Sequence, residues 1–375
     1  MAHLPRSTAS GENGFKEFFM DNKTKVLVAM SGGVDSAASA TLLLKEGYLP
    51  LGVTMVLHGG EDGDACGATK DARDAKALAD ALGFEHHTID MREAFHANVI
   101  SPFVHQYEIG ATPNPCILCN RAMKFGFLLD YARAHGCEKI ATGHYARVGF
   151  DESTGKYTLL RSRNEKKDQT YVLYFLSQRE LSHILFPLGD FTSKDEVRAV
   201  VGAVREENAT KKESQDICFI PDGDYAAFIE DFTGKSYPCG DFIDVSGAIL
   251  GRHKGLIHYT IGQRKGLGLA LGEPMYVKEK SIEDGTVTLC RGDELFSTSC
   301  LVGDVSFVSG EMPTAEVRCT VKTRYSAKEV GATLCVPDEH GIITVTFDTP
   351  VRAITRGQSA VFYQGEVVLG GGIIL

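Results

Sequence analysis

The stretch that decides the fold is Lys25-Val26-Leu27-Val28-Ala29-Met30-Ser31-Gly32-Gly33-Val34-Asp35-Ser36. After one lysine its first half is an unbroken apolar run, the pattern of a strand buried on both faces. Ser31, Gly32 and Gly33 make a tight turn, and residues 35–46 carry a helical pattern that Gly47 stops. Strand, glycine turn and helix in that order aim free N–H groups and the positive end of a helix at one point, which suits an anion. Ser31 and Ser36 add hydroxyl donors. Asp35 is out of place beside an anion unless it holds Mg²⁺ that bridges phosphates. The loop lacks Gly-Lys-Ser/Thr, so γ-phosphoryl transfer is not expected and pyrophosphate is the better leaving group. A bare Gly-Gly turn with Ser and Asp as helix caps is the plainer alternative. All six residues in strand–loop–helix context favour the anion site.

Outward from the loop, residues 51–57 read as a second buried strand and 59–67 as a polar, glycine-rich loop. Residues 68–82 read as a helix, 85–90 as a short strand, and 92–109 as helical with a break near Pro102. A helix follows over 115–135 and a strand over 139–145. Strands alternating with helices of this length predict an α/β fold with an open, doubly wound parallel sheet. Ligands of such sheets sit beyond the carboxyl ends of the strands, where Ser31, Gly143 and His144 belong. After about Pro221 the helical periodicity fades, and from Met275 onward the pattern is all-β. Glu283-Asp284-Gly285 reads as a hairpin turn, and 316–324, 341–347, 358–363 and 366–375 as further strands of a small barrel or sandwich. The expected division is a flexible tail over 1–22, a nucleotide-binding domain over 23–220, a small Gly-rich central domain over 221–285 and a C-terminal β-barrel over 286–375.

Apolar residues make up 43% and charged residues 23%, so a sizeable core is available. No apolar run reaches the ~20 residues of a membrane helix. The first 22 residues lack the apolar core of an export signal, so a cytoplasmic protein is expected. Its ten cysteines then read as buried thiols, metal ligands or catalysts rather than disulfides. The net charge of −10 argues against wholesale nucleic-acid binding but leaves room for a local basic groove. One stretch offers it: residues 251–268 hold Arg252, Lys254, Arg264 and Lys265 among glycines, with no acidic residue.

Two cysteine segments bear on the reaction. In Asn114-Pro115-Cys116-Ile117-Leu118-Cys119-Asn120-Arg121, Pro115 suits a first helical turn and Cys119 falls in or just after it. A helix start with Arg121 and Lys124 nearby predicts a lowered thiol pKa for Cys119. Two buried structural cysteines would read the same way. In Ser214-Gln215-Asp216-Ile217-Cys218-Phe219-Ile220 the cysteine stands between apolar residues, a setting more usual for core.

The hexapeptide Ser31–Ser36 resembles the PP-loop of the N-type ATP pyrophosphatases, which adenylate a substrate oxygen and release pyrophosphate. With both cysteine segments, Thr142-Gly143-His144-Tyr145-Ala146-Arg147 and Lys167-Asp168-Gln169-Thr170-Tyr171, the chain resembles the bacterial-type tRNA-specific 2-thiouridylase family. The similarity continues through 251–255, 259–268, Arg324-Tyr325 and 353–360. The resemblance implies ATP contacts at Ala29, Met30, Ser31, Gly32, Gly33, Val34, Asp35 and Ser36, with Met55 and Gly143 near the adenosine. It implies that ATP activates the C2 oxygen of the wobble uridine. Cys218 would carry a persulfide from a sulfur-relay protein or cysteine desulfurase, Cys119 would be the partner nucleophile, and a Cys119–Cys218 disulfide would remain. Asn114, Pro115 and Cys116 would approach the target base, and His144, Lys167, Asp168, Gln169, Arg324, Tyr325 and Gln358 would touch tRNA.

The chemistry points the same way. A pyrimidine carbonyl oxygen is a poor leaving group until joined to AMP, and a persulfide is a soft nucleophile whose S–S bond a second thiolate can cleave. One departure stands out: the family commonly has aspartate where this chain has Cys116. Cys116 then lines the pocket, takes over proton transfer, or joins Cys119 and Cys218 around an iron–sulfur cluster. An adenylating ligase with an amine substrate, or a nucleotide sensor on the same fold, would need neither Cys119 nor Cys218.

Overall fold

The computed structural model describes residues 24–59, 70–202 and 217–375. The expected tail over 1–22, all of the 59–67 loop but Gly59, and Ser214, Gln215 and Asp216 lie outside the described residues. Five strands form one all-parallel sheet. They are β1 (Lys25–Ala29), β2 (Leu49–Val56), β3 (His86–Asp90), β4 (Lys139–Ala141) and, beyond a hairpin of β5 (Ala146–Asp151) and β6 (Lys156–Arg161), β7 (Ile184–Leu185). The order is β3-β2-β1-β4-β7, with β1 pairing in parallel with both β2 and β4. Chain order reverses beside β1, and ligands sit at such a reversal. The doubly wound sheet read from the alternating pattern is what the chain forms.

Helix α1 (Val34–Lys45) covers one face, burying Ala37, Ala38, Ala40 and Leu43 against Val26, Val28 and the helix Lys194–Gly202. Helix α2 (Lys70–Leu82) lies on the same side through Ala75 and Leu78. Against the other face lie Ile117, Phe125, Leu128 and Leu129. The helical run from Arg92 to Glu108 does not break near Pro102. Residues His96–Ile100 widen into a π turn and Pro102 falls at the start of the next α segment. The wider turn takes up the backbone bond that proline cannot make.

The middle sheet has the order β10-β11-β8-β9, from β8 (Gly240–Asp244), β9 (Ile249–His253), β10 (Tyr276–Ser281) and β11 (Thr286–Cys290). The hairpin turn at 283–285 is present, with Gly285 at φ 63°. Because β11 pairs with both β10 and β8, this unit runs past residue 285. A helix, Tyr225–Thr233, opens it where the periodicity had seemed to fade. The last strands are β12 (Phe296–Phe307), β13 (Val317–Lys322), β14 (Val330–Leu334), β15 (Ile343–Arg352), β16 (Ser359–Gln364) and β17 (Val367–Ile374). Their order β12-β15-β14-β13-β16-β17 closes through a β12–β17 pairing into a six-stranded barrel. The β5–β6 hairpin then adds to β17, Val368 opposite Leu159, so the barrel is sewn to the parallel-sheet domain. No described helix is long and apolar enough to cross a membrane.

Candidate active site

The nucleotide loop is held open by its glycines. Gly32 sits at φ 68°, where an L side chain is strained, and a Cβ there would lie 2.5 Å from the backbone oxygen of Asp71 at the start of α2. Gly33 is the N-cap of α1 and makes no side-chain cap bond, so the helix start is not closed off by its own sequence. The Ser31 N–H donates to Ser36 Oγ at 3.1 Å, and Ser36 Oγ donates to the Gly33 carbonyl at 3.1 Å, which fixes the loop's curl. Gly143, past the end of β4, lies on this turn: a Cβ there would be 2.9 Å from the Asp35 backbone carbon. Ser31 is exposed, Met30 and Val34 are buried beneath it, and Met55 is half-buried between two apolar clusters. An uncapped helix start with a glycine cradle fits a phosphate.

Asp35, the expected Mg²⁺ ligand, is held by two side chains. Its Oδ1 accepts from Lys194 Nζ at 2.6 Å and from the Tyr145 hydroxyl at 2.9 Å. A lysine thus neutralises the carboxylate here, and no step is assigned to a metal at it. Lys194 places at the loop a cation that the loop's own sequence does not contain. Its segment, Thr192-Ser193-Lys194, carries no motif, and its approach is purely tertiary. Tyr145 was more findable, being next to Gly143 and His144.

The thiols lie in one cleft. Asn114 caps the helix Pro115–Cys119, its side chain accepting from the Cys116 N–H at 3.0 Å. Ile117 and Asn120 point inward, and Asn120 Nδ2 donates to the Val172 carbonyl at 3.1 Å. That leaves Cys116 exposed and Cys119 half-buried on the open side. Residues 120–127 continue as a π-helix, a form frequent at functional sites. Cys218 is on a turn closed by the Ile220 N–H to the Ile217 carbonyl at 2.9 Å. Phe219 and Ile220 anchor this turn in the cluster that Leu118 and Cys119 also pack against, and Phe219 meets Phe95, Phe103 and Phe228 edge-on or tilted. Cys218 itself is exposed, not core.

Electrostatics bind the three together. Burial, with the Cys119 and Cys116 thiolates adding to it, pushes the Cys218 thiol up to about 11. Surrounding protein also raises Cys116 and Cys119, although Cys116 keeps solvent access, so the thiols stand in a recess. The lowered pKa expected for Cys119 is therefore reversed in direction. Lys124 does pull all three thiols down, but desolvation outweighs it. Arg121 is turned away, paired with Asp304 at 3.1 Å and lying over Phe175. Among the described residues no three His, Cys, Asp or Glu side chains are grouped to hold a metal ion.

Lys124 also bridges the cleft to the nucleotide loop. Its Nζ is 3.4 Å from His144 Nε2, and His144 follows Gly143. His144 is buried, bonded through Nδ1 to Thr142 Oγ1 at 2.7 Å, and burial with Lys124 holds its pKa well below the ordinary value. Its ring is buried and favours the neutral form.

Several other residues expected at RNA also make bonds within the chain. Asp168 accepts from the Ser162 N–H at 3.0 Å and from Thr170 Oγ1 at 2.6 Å, and burial raises its pKa. Gln169 accepts from the Tyr145 N–H at 2.9 Å. Arg324 donates to the carbonyls of Ile261 at 3.0 Å and Ala353 at 2.6 Å and to Thr355 Oγ1, tying the middle unit to the barrel. Gln358 donates to the Thr112 carbonyl at 2.7 Å, which docks the barrel two residues before Asn114. Tyr325 is exposed, with its ring edge on Tyr171, and Lys167 is half-buried. Lys254, Arg264 and Lys265 are exposed, while Arg252 pairs with Asp241 at 3.1 Å.

Comparison with known proteins agrees with this geometry. A sequence model described as tRNA methyl transferase HUP domain matches residues 24–222. Models described as tRNA methyl transferase PRC-barrel domain and aminomethyltransferase beta-barrel domain match 226–291 and 297–374. The tRNA-specific 2-thiouridylase MnmA of Acetivibrio thermocellus is 45% identical over 359 residues, 94% of this chain and 99% of that protein. A 2-thiouridylase of Caldanaerobacter subterraneus is 44% identical over 95% of this chain and 99% of its own length. That of Clostridioides difficile is 43% identical over 93% and 98%.

Proposed function

The chain belongs to the tRNA-specific 2-thiouridylase family, and from that premise we propose that it is a tRNA-uridine sulfurtransferase acting on the C2 oxygen of the wobble uridine. The observation that carries the reading is the gathering of Cys119 and Cys218, far apart in the chain, in one recess that Lys124 links to His144. A ligase that only adenylates has no use for that recess.

The loop N–H groups and Ser31 hold the phosphates of ATP, with Gly143 shaping the adenosine side. The uridine oxygen attacks the α-phosphorus, and the bond to the β-phosphate breaks as pyrophosphate leaves. Lys194, released from Asp35, offsets the charge of that leaving group. Asn114, Pro115 and Cys116 line the approach of a base turned out of the anticodon loop. The outer sulfur of a Cys218 persulfide attacks C2, and AMP departs with the oxygen. The Cys119 thiolate then attacks Cys218 Sγ, the S–S bond breaks, and sulfur stays on the base. Thiols raised by burial are weak acids, so Lys124, acting on all three, stabilises each thiolate as it forms.

Residues 23–220 carry this chemistry, and the following units hold tRNA through Lys254, Arg264, Lys265 and Tyr325. A sulfur-relay protein or cysteine desulfurase in the cytoplasm loads the exposed Cys218 turn. Mass spectrometry of nucleosides after incubation with tRNA, ATP, Mg²⁺ and inorganic polysulfide as a source of sulfane sulfur tests substrate and product together. Expected is 2-thiouridine dependent on ATP; pyrophosphate release without any thionucleoside would point to a different adenylating enzyme.

A further inference from the structure

Two thiols suffice for the proposed transfer, yet the cleft holds three. Cys116 and Cys119 are three residues apart in one helical segment, so their side chains share a face. Cys116 is exposed and Cys119 half-buried. A reachable outer thiol above a protected inner one, in Cys-X-X-Cys spacing, is the arrangement that dithiol exchange uses. Cys218 stands on its exposed turn over the cluster that Cys119 packs against. Among the described residues these thiols form no metal-holding group. What the arrangement offers is pairwise contact, one S–S bond at a time.

We propose that Cys116 resolves the Cys119–Cys218 disulfide left by each turnover, moving the oxidised pair into the helix as Cys116–Cys119 and freeing Cys218 for the next persulfide. This rests on the function proposed above. The Cys116 thiolate attacks Cys119 Sγ, a new S–S bond forms, the Cys119–Cys218 bond breaks, and Cys218 leaves and takes a proton from water. One disulfide is consumed and one formed, so no net oxidation occurs. A dithiol reductant then delivers two electrons and two protons to Cys116–Cys119. The exchange has a direction. The helical pair is closed within one turn, while Cys218 remains on the surface where a sulfur donor reaches it.

The test uses the full chain loaded with sulfane sulfur from inorganic polysulfide, desalted, and mixed with ATP, Mg²⁺ and unmodified tRNA without reductant. After acid quench, alkylation and digestion, the expected product is a peptide with an internal Cys116–Cys119 disulfide, Cys218 alkylated, and matching 2-thiouridine. In C116S the Cys119–Cys218 link persists, and multiple turnover with added dithiol falls about tenfold. Thiouridine formed while wild-type Cys119 and Cys218 stay linked overturns this proposal alone. No thiouridine at all sinks the functional reading and takes this one with it. A second measurement needs no tRNA: diamide oxidation of folded C218S is expected to give the Cys116–Cys119 disulfide, reversible by dithiol. Both thiols remaining alkylatable there would also overturn it.

Discussion

The nucleotide loop is built from six consecutive residues, whereas the thiol cleft is assembled from segments that meet only in the folded chain. Ser31 to Ser36 fix their own curl by local hydrogen bonds, and α2 and Gly143 merely close on it. Cys116 and Cys119 come from a capped helix, Cys218 comes from a turn anchored by Phe219, and Lys124 reaches them from the next helical turn. The barrel bears on the segment leading into that helix through Gln358 and Thr112. A site made of one segment fails by local strain; a site made of several fails when any anchor moves.

The contrast can be broken by substitution. The largest effect is expected from C119S or C218S, each cutting thiolation by about a thousandfold or more while pyrophosphate release continues. Parallel loss of both activities would merge the two regions into one. Next is Gly32→Ala, where left-handed backbone and the Asp71 carbonyl leave no room for a methyl group. It should cost about 2–4 kcal/mol and abolish nucleotide binding, seen as a lower Tm and no ATP-induced shift. K194M should slow pyrophosphate release about tenfold, and an unchanged rate would confine Lys194 to holding Asp35. K254E should weaken tRNA binding a few-fold and flatten its salt dependence, leaving ATP affinity alone.

A pH profile sharpens the same comparison. Cys218 is raised to about 11, so its alkylation should climb about tenfold per pH unit between roughly 7 and 10. A plateau below about pH 9 would show that Lys124 dominates after all. Cys300 and Cys319, buried in the barrel, are pushed up to about 12. A thiol raised in the folded state contributes stability below its unfolded pKa of about 8.5, and that stability is lost as pH rises toward about 12. The barrel should therefore loosen in alkali, read by circular dichroism.

The parallel sheet was legible because apolar runs, glycine stops and helix caps are local signals. The short edge strand β7, the β5–β6 hairpin, β8, β9, β12 and β14 were not, since two-residue or half-exposed strands such as Phe296–Phe307 carry little alternation and take their partners from far away. At the site, Ser31 to Ser36 and both cysteine segments were visible as motifs. The direction of the Cys119 shift was not, because burial depends on what packs around a thiol. Nor was the scaffold role of Arg324, which a lone Arg-Tyr pair gives no means to tell from an RNA contact.

The convergence of Cys119 and Cys218 is most directly tested by mild diamide oxidation of folded C116S, which removes the competing thiol, followed by alkylation and peptide mapping. The account predicts a Cys119–Cys218 cross-link in the folded chain that is lost in denaturant. Independent alkylation of both thiols under the folded condition would contradict it.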